Sequence, residues 1–252
     1  MPVRYGRRLT GRERSAGANR HLGIALTFVA GATNAGGYLA VEQYTSHMTG
    51  IVSLMADNLA LREFDIVLGG LGALVSFIAG AACSAVMVNY ARRRDLQSEY
   101  ALPLLLEAVL LLAFGFLGTR LSAVKGLFVP LTVMLLCFIM GLQNAVISKL
   151  SHAEIRTTHV TGMITDIGIE LGKFVYWNRP GTLVRPDVLA NRERLNVLAT
   201  LVASFFIGGI AGALGFAQIG YLSTVPLALV LVIMAGVPAI DDLLGTLRRW
   251  KA

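Results

Sequence analysis

Six apolar runs constrain this chain more than any other feature, because each approaches the roughly 20 residues that a helix needs to cross a bilayer core about 30 Å thick. They cover about 22–41, 66–90, 101–119, 127–148, 196–217 and 221–240. Little polar material is left over: of 252 residues 55% are hydrophobic and 15% charged, against about 25% charged in a soluble domain, and the mean hydropathy is +0.66. Such a chain could not coat a water-exposed globule, so the expected surroundings are a lipid bilayer and a soluble enzyme is excluded.

The formal net charge of +7 does not point to nucleic acid, because the basic residues cluster beside the apolar runs. Arg4, Arg7, Arg8, Arg12, Arg14 and Arg20 lie in the leading tail, Arg92, Arg93 and Arg94 follow the second run, and Arg248, Arg249 and Lys251 close the chain. The apolar run at 22–41 continues past any small-residue cleavage site, so it is expected to be a retained span rather than a secretory signal. Cys83 and Cys137 each sit alone in an apolar run and form neither a disulfide framework nor a metal motif.

Two further segments, 46–61 and 158–175, are shorter and more polar. If both crossed, the basic residues would divide 17 to 5 between the two sides, with the Arg92–Arg94 triplet on the minority side. If both dip in and return, the division is 19 to 3, which the positive-inside rule prefers. The expected fold is therefore all-α and polytopic, with six transmembrane helices and two short re-entrant helices. Both termini are expected on the cytoplasmic side of the membrane.

The two short segments also match each other. Thr45-Ser46-His47-Met48-Thr49-Gly50 aligns without a gap on Thr157-Thr158-His159-Val160-Thr161-Gly162. Upstream, Gly31-Ala32-Thr33-Asn34-Ala35 pairs with Gly141-Leu142-Gln143-Asn144-Ala145, and downstream Ser76-Phe77 pairs with Ser204-Phe205 and Pro103-Leu104 with Pro226-Leu227. Four matches in one order indicate a duplication. The copies would span 21–120 and 121–243, the second with a cytoplasmic loop at about 178–195, between basic tails 1–20 and 244–252. Three spans per copy is an odd number, so the copies would have inverted topology, an architecture that places its site near the midplane where broken helices meet.

That logic selects the candidate residues. Thr45 or Ser46, and Thr157 or Thr158, are expected N-caps, which would put His47 and His159 in the first helical turns. Two helix N-termini would then face one another with free amides, a ready place for an anionic group or a polar solute. Thr49, Gly50, Thr161 and Gly162 would line this site, or alternatively serve as small residues for close helix packing. His47 and His159 could bind solute, relay protons or simply bond a carbonyl at a helix end. Asn34 and Asn144 could contact solute or tie helices together. Glu107 is a candidate proton-coupling group or a carboxyl near the headgroups; Asp166 and Glu170 share one helix face and could bind a cation, with Lys173 offering a plain salt bridge instead.

No hydrolase elbow, zinc-protease, phosphate-loop or Cys-x-x-Cys motif is present, so neither an enzyme nor a bound cofactor or metal is expected. The reading is a transporter or channel for a small solute, with the bilayer as its other partner and homo-oligomerisation left open. The rivals are a structural or regulatory membrane protein that binds a partner or lipid, and a membrane-embedded enzyme using His159 with Asp166 or Glu170. With Ser46-His47-Met48-Thr49-Gly50 as its best marker, the chain from about 21 to 243 resembles the bacterial YoaK family of integral membrane proteins, which is defined by a domain of unknown function. The resemblance implies a multi-pass inner-membrane protein and supplies no substrate, cofactor or reaction.

Overall fold

The computed structural model describes residues 10–11, 15–121, 125–150, 157–177 and 188–250. The described residues form eight α-helices and contain no strand. In chain order these are α1 (Ala16–Val41), α2 (Met48–Ala60), α3 (Phe64–Arg93), α4 (Ala101–Leu121), α5 (Lys125–Leu150), α6 (Val160–Val175), α7 (Arg192–Ile219) and α8 (Thr224–Trp250). Among the described residues, five stretches are long and apolar enough to cross a membrane: Gly17–Val41, Phe64–Arg93, Ala101–Arg120, Val129–Leu150 and Arg192–Leu244. The last holds both α7 and α8, parted by a 3-10 turn at Gly220–Ser223 that begins with Gly220 at φ 60, a conformation glycine adopts without steric cost.

The helix ends follow from local chemistry. Ser15 caps α1 by accepting the Ala18 N–H at 3.2 Å, and α1 stops where Glu42 turns left-handed at φ 55 and returns its N–H to the Tyr38 carbonyl. Asn191 caps α7 through the Arg194 N–H at 3.0 Å. The expected loop at 178–195 is thus corrected at its end, since Arg192 already opens a helix. Residues 178–187, the tail residues 1–9, 12–14 and 251–252, and His152 and Arg156 lie outside the described residues.

Outward faces are apolar. Leu68, Val75, Ile78 and Val86 of α3, and Phe206, Ile210 and Leu214 of α7, are exposed. Residues of this kind in such number are unfavourable in water and at home in lipid tails.

The long helices pack through glycines. A Cβ at Gly31 would collide with the Phe205 carbonyl and one at Gly208 with the Phe28 carbonyl, so α1 and α7 cross with their backbones in contact. The same pair of crossings joins α5 to α3: Gly141 lies on the Phe77 carbonyl and Gly80 on the Phe138 carbonyl. Gly212 against Ala32 extends the first crossing, so the small-residue pairs Gly208/Gly212 and Gly80/Ser84 are packing features.

Contacts along the helices set their directions. Ser204 Oγ donates to the Ile24 carbonyl at 2.8 Å, and Gly208 and Gly212 meet Phe28 and Ala32 one turn further along each helix, so α1 and α7 run parallel. From the Gly80–Phe138 crossing to the Lys149 Nζ to Asn89 Oδ1 bond at 3.0 Å both numbers rise, so α3 and α5 also run parallel. Gly37 beside Leu136, and Gln143 bonded to the Leu26 carbonyl at 3.3 Å, make α1 and α5 antiparallel. Gly115 and Gly118 pack on Thr224 and Tyr221 while Asp242 accepts the N–H groups of Gln97 and Ser98, so α4 and α8 are antiparallel. Thr10, just before α1, ties that end of the molecule to the start of α4, through the Tyr100 N–H, and to the Met234 carbonyl of α8.

Candidate functional site

The two short helices begin in the same way. His47 at φ −96, ψ 72 and His159 at φ −83, ψ 57 are the N-cap residues of α2 and α6, and neither side chain caps its helix. Their carbonyls take the first helical bonds, from the Ile51 and Met163 N–H groups at 3.1 Å each. This corrects the expected caps: the hydroxyls of Ser46 and Thr158 bond elsewhere, and that of Thr45 is buried with no partner among the described residues. Ser46 Oγ donates to Asn34 Oδ1 at 2.9 Å, and Thr158 Oγ1 to Asn144 Oδ1 at 2.8 Å. Each of these bonds pins a short helix to the span before it.

Both helix starts open on one cavity of about 590 Å3, inside the roughly 300–1,000 Å3 of ordinary small-molecule sites. Asn34, His47, Thr49, His159 and Thr161 line it, with Phe77 and Phe205 as apolar walls. No Asp, Glu, Lys or Arg is among its lining residues. Two smaller cavities flank it. One of about 360 Å3 shares Asn34, Tyr44 and Phe205 with the central cavity, and one of about 260 Å3 shares Phe77 and His159 and adds Asn144 and Ser148. Tyr38 and Tyr44 stack at the first of these with ring centroids 4.6 Å apart.

Residues 22–237 match the model of a family described as "Protein of unknown function (DUF1275)". The chain belongs to that family. It is also similar to the UPF0700 transmembrane protein YoaK of Bacillus subtilis (strain 168), at 27% identity over 212 residues, 83% of this chain and 89% of the relative. No solved structure matches it. The resemblance read from Ser46-His47-Met48-Thr49-Gly50 and the run of apolar helices is therefore borne out, and the chain is a membrane protein of this family.

The structure divides the other candidates. Gly50 lies beneath the His47 ring, where a Cβ would run into the ring carbons, so it shapes the site without lining it. Gly162 holds the equivalent place in the first turn of α6. Glu107 is far from the headgroup-exposed carboxyl that its place in the run allowed: it is fully buried and accepts Gln143 Nε2 at 2.8 Å, apart from all three cavities. Asp166 and Glu170 also stand off the cavity. Asp166 accepts Arg194 Nη2 at 3.1 Å; Glu170 accepts Lys173 Nζ and the Asn191 N–H at 2.8 Å each, and the two donors hold its carboxyl below the usual carboxylate range. The plain salt bridge with Lys173 is the arrangement found.

Phe77, Phe205 and Tyr44 were not singled out as site residues. The signal for the two phenylalanines was nevertheless present, since Ser76-Phe77 and Ser204-Phe205 mark the duplication. Gln143, the partner of Glu107, stands beside Asn144 in another of the repeated blocks.

Proposed function

We propose that this protein moves a small solute across the bacterial inner membrane through a site between the starts of α2 and α6. The observation that carries the reading is the shared cavity: His47 and Thr49 meet His159 and Thr161 from segments more than 100 residues apart. A polar break of this kind at membrane depth is tolerated where it is buried in protein or lines a watery space.

The helix directions support six crossings and two inverted copies. With α1, α4 and α7 running one way and α3, α5 and α8 the other, α2 joins ends of α1 and α3 that lie on one side, and α6 joins ends of α5 and α7 on the opposite side. Each short helix then enters and leaves by the same face. The matched crossings, Gly31 on Phe205 with Gly141 on Phe77, and Gly208 on Phe28 with Gly80 on Phe138, are those expected of two copies related by a two-fold axis in the membrane plane. The Arg92–Arg94 triplet lies at the same end as the start of α1, and Arg192 and Arg194 join it at the start of α7, which favours both termini in the cytoplasm.

Transport is favoured over catalysis. Asp166 lies seven residues, or about 10 Å of helix, beyond His159, and both acids on that face are engaged with basic partners.

The test is thiol accessibility in a background lacking Cys83 and Cys137, with single cysteines at Thr49, Thr161 and Arg93. An impermeant reagent is expected to label both threonine positions and to reach the Arg93 position only from the cytoplasm. If neither threonine position labels, the segments are sealed structure and the protein is better read as a partner- or lipid-binding membrane protein.

A further inference from the structure

The two asparagines that anchor the short helices are not equivalent. Asn144 Nδ2 donates back to the Met140 carbonyl of its own helix at 2.8 Å. Asn34 Nδ2 makes no hydrogen bond among the described residues, although the residue is only 9% exposed and lines both the central cavity and its larger neighbour. The buried residue thus presents two unused N–H donors to the cavity, where an acceptor can reach them.

The same wall holds more unused donors. In the first turn of α2 the N–H groups of Met48, Thr49 and Gly50 have no acceptor among the described residues, and neither have those of Val160, Thr161 and Gly162 in α6. Each helix start carries a partial positive charge of roughly half a unit, and two of them open on one space. No carboxylate lines that space to repel an anion, and no Lys or Arg is there to neutralise one with a full charge. The remaining wall is apolar and aromatic, from Phe77 and Phe205.

We infer that the cavity binds a small organic carboxylate, its charged end accepting N–H donors from Asn34 and the first turns of α2 and α6, its apolar body between Phe77 and Phe205. The inference rests on the transport reading, because it names the class of solute for that site. Asn34 supplies the asymmetry between the two anchors, since Asn144 does not line the central cavity and returns an amide hydrogen to its own helix.

The test uses the full chain in lipid nanodiscs, with Cys83 and Cys137 replaced and a single cysteine at Thr49. Benzoate, benzamide and benzylamine share one ring and differ in the head group. Benzoate is expected to slow labelling by an impermeant maleimide at least about fivefold, at a concentration where the neutral and cationic analogues slow it less than about twofold, because bonds to a charged acceptor are the stronger ones. Asn34→Leu should raise the benzoate concentration needed for half protection by roughly tenfold, the worth of about one such bond. Asn34→Asp, which keeps an acceptor for Ser46 and adds a negative charge, should abolish protection and carries the same test if the leucine variant does not accumulate. Labelling that all three compounds slow equally, or that benzoate leaves unchanged, overturns the carboxylate inference while the water-lined site stands. Failure of Thr49 to label at all overturns the transport reading and the inference with it.

Discussion

Asn34 and Asn144 hold matched places in the two halves of the chain and accept matched hydroxyls, Ser46 and Thr158, yet one returns an amide hydrogen to its own helix and the other leaves both at the cavity. The same contrast runs through the molecule. The glycine crossings, the histidine caps and the phenylalanine walls occur twice, while Glu107 of α4 is paired in the duplication with Val230, Gln143 with Thr33, and Leu54 with Asp166. What repeats is the frame: backbone contacts tolerate almost no variation, because a side chain at these crossings would meet a carbonyl. What differs is part of the polar chemistry, since the Glu107–Gln143 pair and Asp166 each occur in one half only.

The largest effect that would break this comparison is at the crossings. Gly31→Val and Gly141→Val should each destabilise the fold by about 3 kcal/mol or more, since the neighbour that must move is backbone. Thermal unfolding of the purified protein in detergent measures this, and a half that tolerates valine while the other does not would show that the frames are not equivalent.

A middle-sized effect is expected at the buried pair. Gln143→Leu removes the one protein donor that Glu107 has among the described residues and should cost about 1–3 kcal/mol, the range for stranding a buried polar group. The double change Glu107→Val with Gln143→Thr installs the residues of the other half and should cost less than Gln143→Leu alone. If the double variant is the less stable, the pair is part of the frame and not an addition to one half.

The smallest effect is at the anchors. Asn144→Leu loses the Thr158 bond and should cost about 0.6 kcal/mol, the average for a side-chain bond between helices in a membrane. Asn34→Leu should cost a similar amount in the same unfolding measurement, although only it changes benzoate protection. A much larger loss at either asparagine would make it a structural keystone in place of an anchor.

Much of this was legible in the sequence. Run length and the scarcity of charge located the helices, and the ungapped match of the two His-x-Thr-Gly blocks located the site, because both are local properties of the chain. The caps fall one residue or more later than the hydroxyls suggest: Ser46 and Thr158 have good capping chemistry, but each donates to an asparagine 12 or 14 residues earlier and the histidine after it opens the helix. Distance from the start of its run leaves Glu107 either a coupling group or a carboxyl near the headgroups, because it says nothing of which neighbour covers it; in the structure the carboxyl is fully buried and bonded to Gln143 of α5.

By itself, then, the sequence determined the solvent, the helices and the matched segments, since hydrophobicity, length and repetition are written residue by residue. Only the tertiary structure decided that each half's first long helix packs on the other half's second, that both histidine caps share one cavity, and that Asn34 rather than Asn144 turns its amide to that cavity. These depend on which carbonyl or hydroxyl arrives from more than 100 residues away, and no local pattern encodes that arrival.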